Sequence, residues 1–266
     1  KMHEYLLSVD PDRLLLNFRR TAGIAADAQP LAGWESPECE LRGHFTGHYL
    51  SACAEAFEAT GDDELRARAV AMVAALAECQ DKLGKGYLSA FPESFFDRLE
   101  RGERVWAPWY TLHKVLQGLI DVHLRCHDAR ALEVATRFAD WVDARTARLD
   151  EAAMQKTLDT EFGGMPDALA ALHAITKEPR HLALASRFRH RRVIDPLATD
   201  GDPLRGLHAN TQIPKLLAEA RLFELTGDDA HRRAATRFFD LVTEGRCYPT
   251  GGTSSYEYWR RAPGEL

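Results

Sequence analysis

Four stretches of the chain align on one another without a gap: EAFEATGDDELRARAVAMV from Glu55, DVHLRCHDARALEVATRFA from Asp121, ALHAITKEPRHLALASRF from Ala171 and RLFELTGDDAHRRAATRFF from Arg221. Each reads as the end of one helix, a tight turn and the start of another. In the first and fourth, Thr-Gly-Asp-Asp supplies a glycine able to take the left-handed conformation that closes a helix, then an aspartate placed to cap the next. The third uses Lys177-Glu178-Pro179, with proline suited to the first turn of its second helix. The last three turns, at Cys126, Thr176 and Thr226, recur at intervals of about 50 residues, a period that fits an αα-hairpin repeat.

The opening helices of the hairpins hold the unusual sequences: GHFTGHYLSACAEAF, PWYTLHKVLQGLIDVHL, EFGGMPDALAALHAI and NTQIPKLLAEARLFEL. The second helices, such as LEVATRFADWVDAR, space apolar residues helically with charges between them, as an outer layer does. Strand-like alternation is almost absent. Such pairs stack into an open solenoid or close into an α/α toroid. Segments 84–108 and 191–208 favour the toroid. They are long, rich in Gly, Pro, Asp and aromatics, and expected to be irregular, lying at one mouth of a central pocket just before the inner helices. The predicted fold class is all-α, and the 45% hydrophobic content of 266 residues is enough for one large domain.

A net charge of −6 argues against a nucleic-acid or anionic-membrane partner, because both need a basic surface. No apolar run approaches the roughly 18 residues of a membrane span. The opening stretch KMHEYLLSVDPDRLLLNFRR is charged throughout and has no apolar signal core. Cys39, Cys53, Cys79, Cys126 and Cys247 are odd in number, far apart and without a CxxC pair. That fits a reducing compartment, hence the cytoplasm, although a leader removed upstream would leave secretion open. Cys53, Cys79 and Cys126 sit in apolar helical patterns as core residues, and Cys39 and Cys247 read as structural.

Polar residues gather at the starts of the inner helices. His44 and His48 are four apart, so they share a helix face; the HExxH glutamate is missing, and hydrogen bonding or packing is expected rather than a metal site. Trp109, Tyr110 and His113 combine flat apolar faces with polar tips. That mixture suits a sugar, and equally suits packing beneath the 84–103 loop. His208, Asn210, Thr211 and Gln212 exceed what capping needs; Asn210 or Thr211 reads as the cap and His208 as the ligand residue. Glu161 stands at a helix N-terminus, where the macrodipole favours an acid, and Gly163-Gly164 allow either ligand approach or tight packing. Glu257 lies between Tyr256, Tyr258 and Trp259. Aromatic neighbours are expected to desolvate it, as a general acid needs; the alternative is a surface glutamate.

Taken in order, GH-x-x-GHYL, KGYL, APWYTLHK, EFGGM, GLHANTQIPK and TGG-x-S-x-x-E-x-W resemble the β-L-arabinofuranosidase family, glycoside hydrolase family 127, from about Gly43 to Gly264. The resemblance implies part of an (α/α)6 barrel catalytic domain, followed in the family by β-sandwich domains. It implies retaining, exo-acting hydrolysis of plant arabinofuranosides: a cysteine thiolate attacks, a glutamate is acid/base, and a zinc ion bound by a glutamate and cysteines holds the thiolate. Carried over by motif, Glu257 is the acid/base and His113 and His208 hold the sugar. Asn210, His48, Trp109 and Tyr110 join them as substrate-binding residues, and the partner is a carbohydrate.

This chain departs from the family pattern in having Tyr256 where members often have glycine. No zinc-binding Glu or Cys motif occurs before Leu266, so zinc is expected only in a longer protein. Residues 1–266 are accordingly expected to form one incomplete barrel domain that does not turn over substrate by itself. Other α/α-toroid activities, an uronyl hydrolase, lyase or sugar epimerase, and a non-catalytic sugar-binding helical protein are the competing readings.

Overall fold

The computed structural model describes residues 1–159 and 163–260. Among the described residues are thirteen α-helices, one 3-10 turn at Gly33–Glu35 and no strand. The first compact unit, Lys1–Ala153, holds α1 (Met2–Ser8), α2 (Pro11–Thr21), α3 (His44–Thr60), α4 (Asp63–Leu83), α5 (Ser94–Glu100), α6 (Pro108–Cys126) and α7 (Ala129–Thr146). The division falls inside α8 (Glu151–Thr157). The second unit, Met154–Leu266, holds α9 (Met165–Thr176), α10 (Pro179–Arg187), α11 (Arg191–Ala198), α12 (Ala209–Thr226) and α13 (Asp229–Thr243).

The four aligned stretches are the turns α3–α4, α6–α7, α9–α10 and α12–α13. Each turn places one residue in the left-handed region, namely Gly61 (φ 73°), His127 (φ 58°), Lys177 (φ 59°) and Gly227 (φ 72°). The next residue is extended in all four and caps the following helix in three: Asp62 accepts from the Glu64 N–H, Asp128 from Ala131 and Asp228 from Ala230, while Glu178 makes no side-chain cap. Threonine adds a second tie. The hydroxyls of Thr60, Thr176 and Thr226 each donate to the carbonyl four residues back and accept the N–H two residues on. Two turns use a non-glycine residue in the left-handed position, at about 1–2 kcal/mol each.

In the first unit α3 lies along α6, with α4 and α7 packed outside them. The close approach depends on Gly47: a Cβ there would stand 2.1 Å from the Lys114 carbonyl oxygen, inside any real contact. The linking segments are not wholly irregular, contrary to expectation. Residues 84–108 contain α5, because Phe96 and Leu99 turn inward while buried Arg145 of α7 donates to Glu100 (2.6 Å) and Asp97 (2.7 Å) on the opposite side. Phe96 then joins Tyr87, Trp109 and Trp141 in one aromatic core. Side chains so completely buried are worth about 1.5–3 kcal/mol each in transfer free energy.

In the second unit α12 packs on α9 and α13, and α11 on α13. Residues 191–208 contain α11, whose Val193, Ile194 and Leu197 form a single apolar face. That face meets Leu204, Leu216, Phe238 and Trp259, so one tryptophan from the last described segment anchors it beneath α12 and α13. Gly163 resolves the choice left open for EFGGM. Its missing side chain lets the backbone come against the start of α12, where a Cβ would be 2.5 Å from the Thr211 carbonyl oxygen.

Candidate active site

The first unit contributes a run of rings along the N-terminal turns of α3 and α6. It begins with a buried carboxylate that sequence reasoning missed, Glu35, which accepts from the Gly43 N–H (2.7 Å) and the Phe45 N–H (2.9 Å) and so caps α3. His44 Nδ1 lies 2.9 Å from both Glu35 Oε1 and the Leu41 carbonyl oxygen. Two acceptors fix that nitrogen as the N–H, leaving Nε2 outermost. The His44 ring lies 6.1 Å from Trp34, 6.0 Å from His48 and 5.8 Å from Tyr110, and Tyr110 lies 5.3 Å from His113. The Lys114 ammonium sits 5.2 Å over the Tyr110 ring.

This surrounding favours the neutral form of His48 and of His113. Loss of solvent, then the charges of Lys114 and His44, push His48 down to about 4. Burial, then Lys114 and His48, hold His113 well below the ordinary histidine value. The His113 Nδ1 is buried, and the Tyr110 backbone, which favours the charged ring, is outweighed by burial. A neutral imidazole offers one donor and one acceptor, the pairing that a sugar hydroxyl matches.

Trp109 does not belong to this run. It is 1% exposed, its ring 4.5 Å from Phe96 and 6.2 Å from Trp141, so it is a core side chain rather than a pocket wall. The physical reason is helical phase: Trp109 and Tyr110 are adjacent and project about 100° apart, one inward and one to the ring cluster.

The second unit brings His208 and Glu257 together, although they are far apart in sequence. The Ala209 N–H donates to the Glu257 carbonyl (2.8 Å), the Trp259 N–H to that of Leu207 (3.0 Å) and the Gly206 N–H to that of Trp259 (2.6 Å). His208 thereby pairs with Tyr258 as an isolated antiparallel bridge, their rings 4.9 Å apart. His208 Nε2 stands 3.4 Å from Glu257 Oε2. Its Nδ1 is buried with no partner among the described residues, an unusual state for a polar atom outside a binding site.

The expected desolvation of Glu257 is overturned. Its side chain is 75% exposed and Tyr256 is 84% exposed; of the three aromatics only Trp259 is buried, and it points into the core instead. Tyr256 (φ 48°) and Glu257 (φ 69°) are both left-handed, which explains why a glycine suits position 256. Asn210 is exposed on the first turn of α12 and does not cap it; Thr211 bonds back to the His208 carbonyl (2.9 Å). Glu161 lies outside the described residues.

Behind His208 runs a second feature that the sequence did not disclose. Lys215 is 3% exposed and donates to Gln212 Oε1 (2.9 Å) and His190 Nδ1 (2.8 Å); Gln212 in turn donates to the Thr211 hydroxyl (2.7 Å). Because His190 Nδ1 accepts, its Nε2 carries the proton and faces Asp159 at 3.3 Å. Burial, then Lys215, push His190 down to about 4, and burial pushes Lys215 down to about 7. The signal available in sequence was only a lysine on the inner helix GLHANTQIPK.

Among the described residues no three His, Cys, Asp or Glu side chains converge as a metal site. The described residues therefore do not form the zinc-binding set that the resemblance implies. Burial pushes the Cys53 and Cys79 thiols up to about 11 and raises that of Cys126, as core spacers rather than nucleophiles. No helix is long and apolar enough to cross a membrane among the described residues.

The family model for "Beta-L-arabinofuranosidase, GH127 catalytic domain" matches residues 1–263. Among solved structures, the chain is similar to a GH127 β-L-arabinofuranosidase from Geobacillus stearothermophilus T6, with 18% identity and a TM-score of 0.71 over 98% of this chain and 44% of that one. A GH127 β-arabinofuranosidase matches at 16% identity and a TM-score of 0.64, over 91% of this chain and 39% of the other. A third structure, a glycoside hydrolase, gives 14% and 0.58, over 92% and 37%. The chain thus spans less than half the length of these structures. At such identities the likeness is one of fold, and the fold class is the expected one: all-α, helical hairpins of an α/α toroid. No curated protein matches.

Proposed function

Because the chain belongs to the family of GH127 β-L-arabinofuranosidase catalytic domains, we propose that it is part of a retaining glycoside hydrolase acting on arabinofuranosides of plant glycans. Both units belong to one catalytic domain in this reading. Glu257 is the acid/base: its carboxyl gives a proton to the glycosidic oxygen as the C–O bond breaks, and later takes one from the attacking water. The observation that carries the assignment is the approach of the Glu257 carboxylate to His208 Nε2, 3.4 Å, at the tip of the two-residue left-handed turn that closes the Ser255–Tyr258 bridge.

His208 supports the assignment by holding its Nε2 beside the Glu257 carboxylate, while its Nδ1 is buried with no partner among the described residues. In the first unit, neutral His48 and His113 and half-buried Tyr110 offer hydrogen bonds of the same kind. Exposed Asn210 is left as a minor contact. A reducing, cytoplasmic setting accompanies this reading, supported by five free thiols.

The test is hydrolysis of a para-nitrophenyl arabinofuranoside by the full-length protein. Glu257→Gln, which keeps the size of the side chain, is expected to lower kcat by roughly 10²–10⁴-fold. Unchanged turnover in that variant would remove Glu257 from the chemistry.

A further inference from the structure

We infer that the Trp34 indole is the stacking platform for a second sugar ring, the one adjoining the ring bound by His48, Tyr110 and His113. The inference rests on the carbohydrate reading of that cluster. Trp34 is 63% exposed, and a single exposed tryptophan means little by itself. This one is the outermost member of a continuous series: Trp34 meets His44, His44 meets His48 and Tyr110, and Tyr110 meets His113. It therefore extends the candidate sugar-binding surface outward instead of standing apart from it.

The second observation is how firmly the indole is held. The residue after it, Glu35, is buried and fixed from three sides: its carboxylate takes the Gly43 and Phe45 N–H groups and His44 Nδ1. Its carbonyl accepts from buried Asn17 (3.0 Å), and the Ser36 N–H closes the 3-10 turn onto Gly33 (3.1 Å). The turn thus fixes the backbone from which the indole projects, and the His44 ring 6.1 Å away borders it on one side, so less freedom remains to be lost on stacking. The face of an indole matches the C–H face of a sugar, and the polar groups of the adjoining run, His48 and the Lys114 ammonium over Tyr110, offer partners for hydroxyls of the neighbouring ring. The ligand class is thus a neutral oligosaccharide of at least two rings, with Trp34 under the ring farther from His113.

Calorimetric titration of the chain with methyl arabinofuranoside and with an arabinofuranose disaccharide tests this directly. Wild type is expected to bind the disaccharide more tightly, and Trp34→Ala to abolish that advantage, weakening disaccharide binding roughly tenfold while leaving the single ring unchanged. Trp34→Phe should restore most of the difference, which a loss of folding would not do. Equal effects on both sugars, or no effect on either, overturn the platform while sparing the single-ring site. A wild-type chain that binds neither sugar overturns the site reading and the platform together.

Discussion

Replacing Lys215 with methionine isolates a single buried amine and gives a stability change that depends on pH in a calculable way. Burial lowers the folded-state value to about 7 from the ordinary lysine value of 10.5, so the unfolded chain keeps a proton that the folded chain gives up. Between those values the unfolded state binds more protons, and wild-type stability rises with pH. One unit of displacement is worth about 1.4 kcal/mol, and allowing for half-titration near 7, wild type should gain about 2 kcal/mol between pH 7 and pH 9. Lys215→Met has no such group. It does leave His190 Nδ1 and Gln212 Oε1 without their donor, at about 1–3 kcal/mol each, but that loss is nearly the same across this range because burial, the larger cause of the lowered His190 value, persists in the variant and keeps the ring neutral. Asp159 and Arg192 are present in both proteins and cancel in the difference. Urea unfolding of both proteins at pH 7, 8 and 9 reads the result. A stability gap that stays constant across the series would refute a depressed, desolvated Lys215.

Two further substitutions probe the packing and the turns. Gly47→Ala places a methyl group against the Lys114 carbonyl and should destabilise the first unit by about 3 kcal/mol, seen as a lower Tm; an unchanged Tm would show that α3 and α6 do not approach so closely. His127→Gly relieves a left-handed side chain at an exposed turn and should raise stability by roughly 0.5–1 kcal/mol after the entropy of the more flexible unfolded chain is deducted. A loss of stability on chemical denaturation would contradict that reading of the turn.

The sequence by itself determined the hairpins, their turns and the family, because each signal is local. A glycine or tolerated left-handed residue, an extended aspartate and a proline at N1 act within about four residues of themselves, so Gly61-Asp62, Gly227-Asp228 and Pro179 were legible without any tertiary information. The motif order likewise placed His48, Tyr110, His113, His208 and Glu257 at helix starts and in the last segment. What surrounds those residues belonged to tertiary structure. Trp109 faces the core because Phe96 and Trp141 are there to meet it, and Glu257 is exposed because Trp259 takes the buried place under α13. The helices α5 and α11 inside the linking segments required partners elsewhere in their own units. Glu35 and Trp34 carried no readable signal, and Lys215 only its place on an inner helix, since what distinguishes them is a carboxylate meeting a helix start, an indole joining a run of rings and an amine shut away beside His190. Burial and pairing are properties of residues distant along the chain, and only packing decides which of them meet.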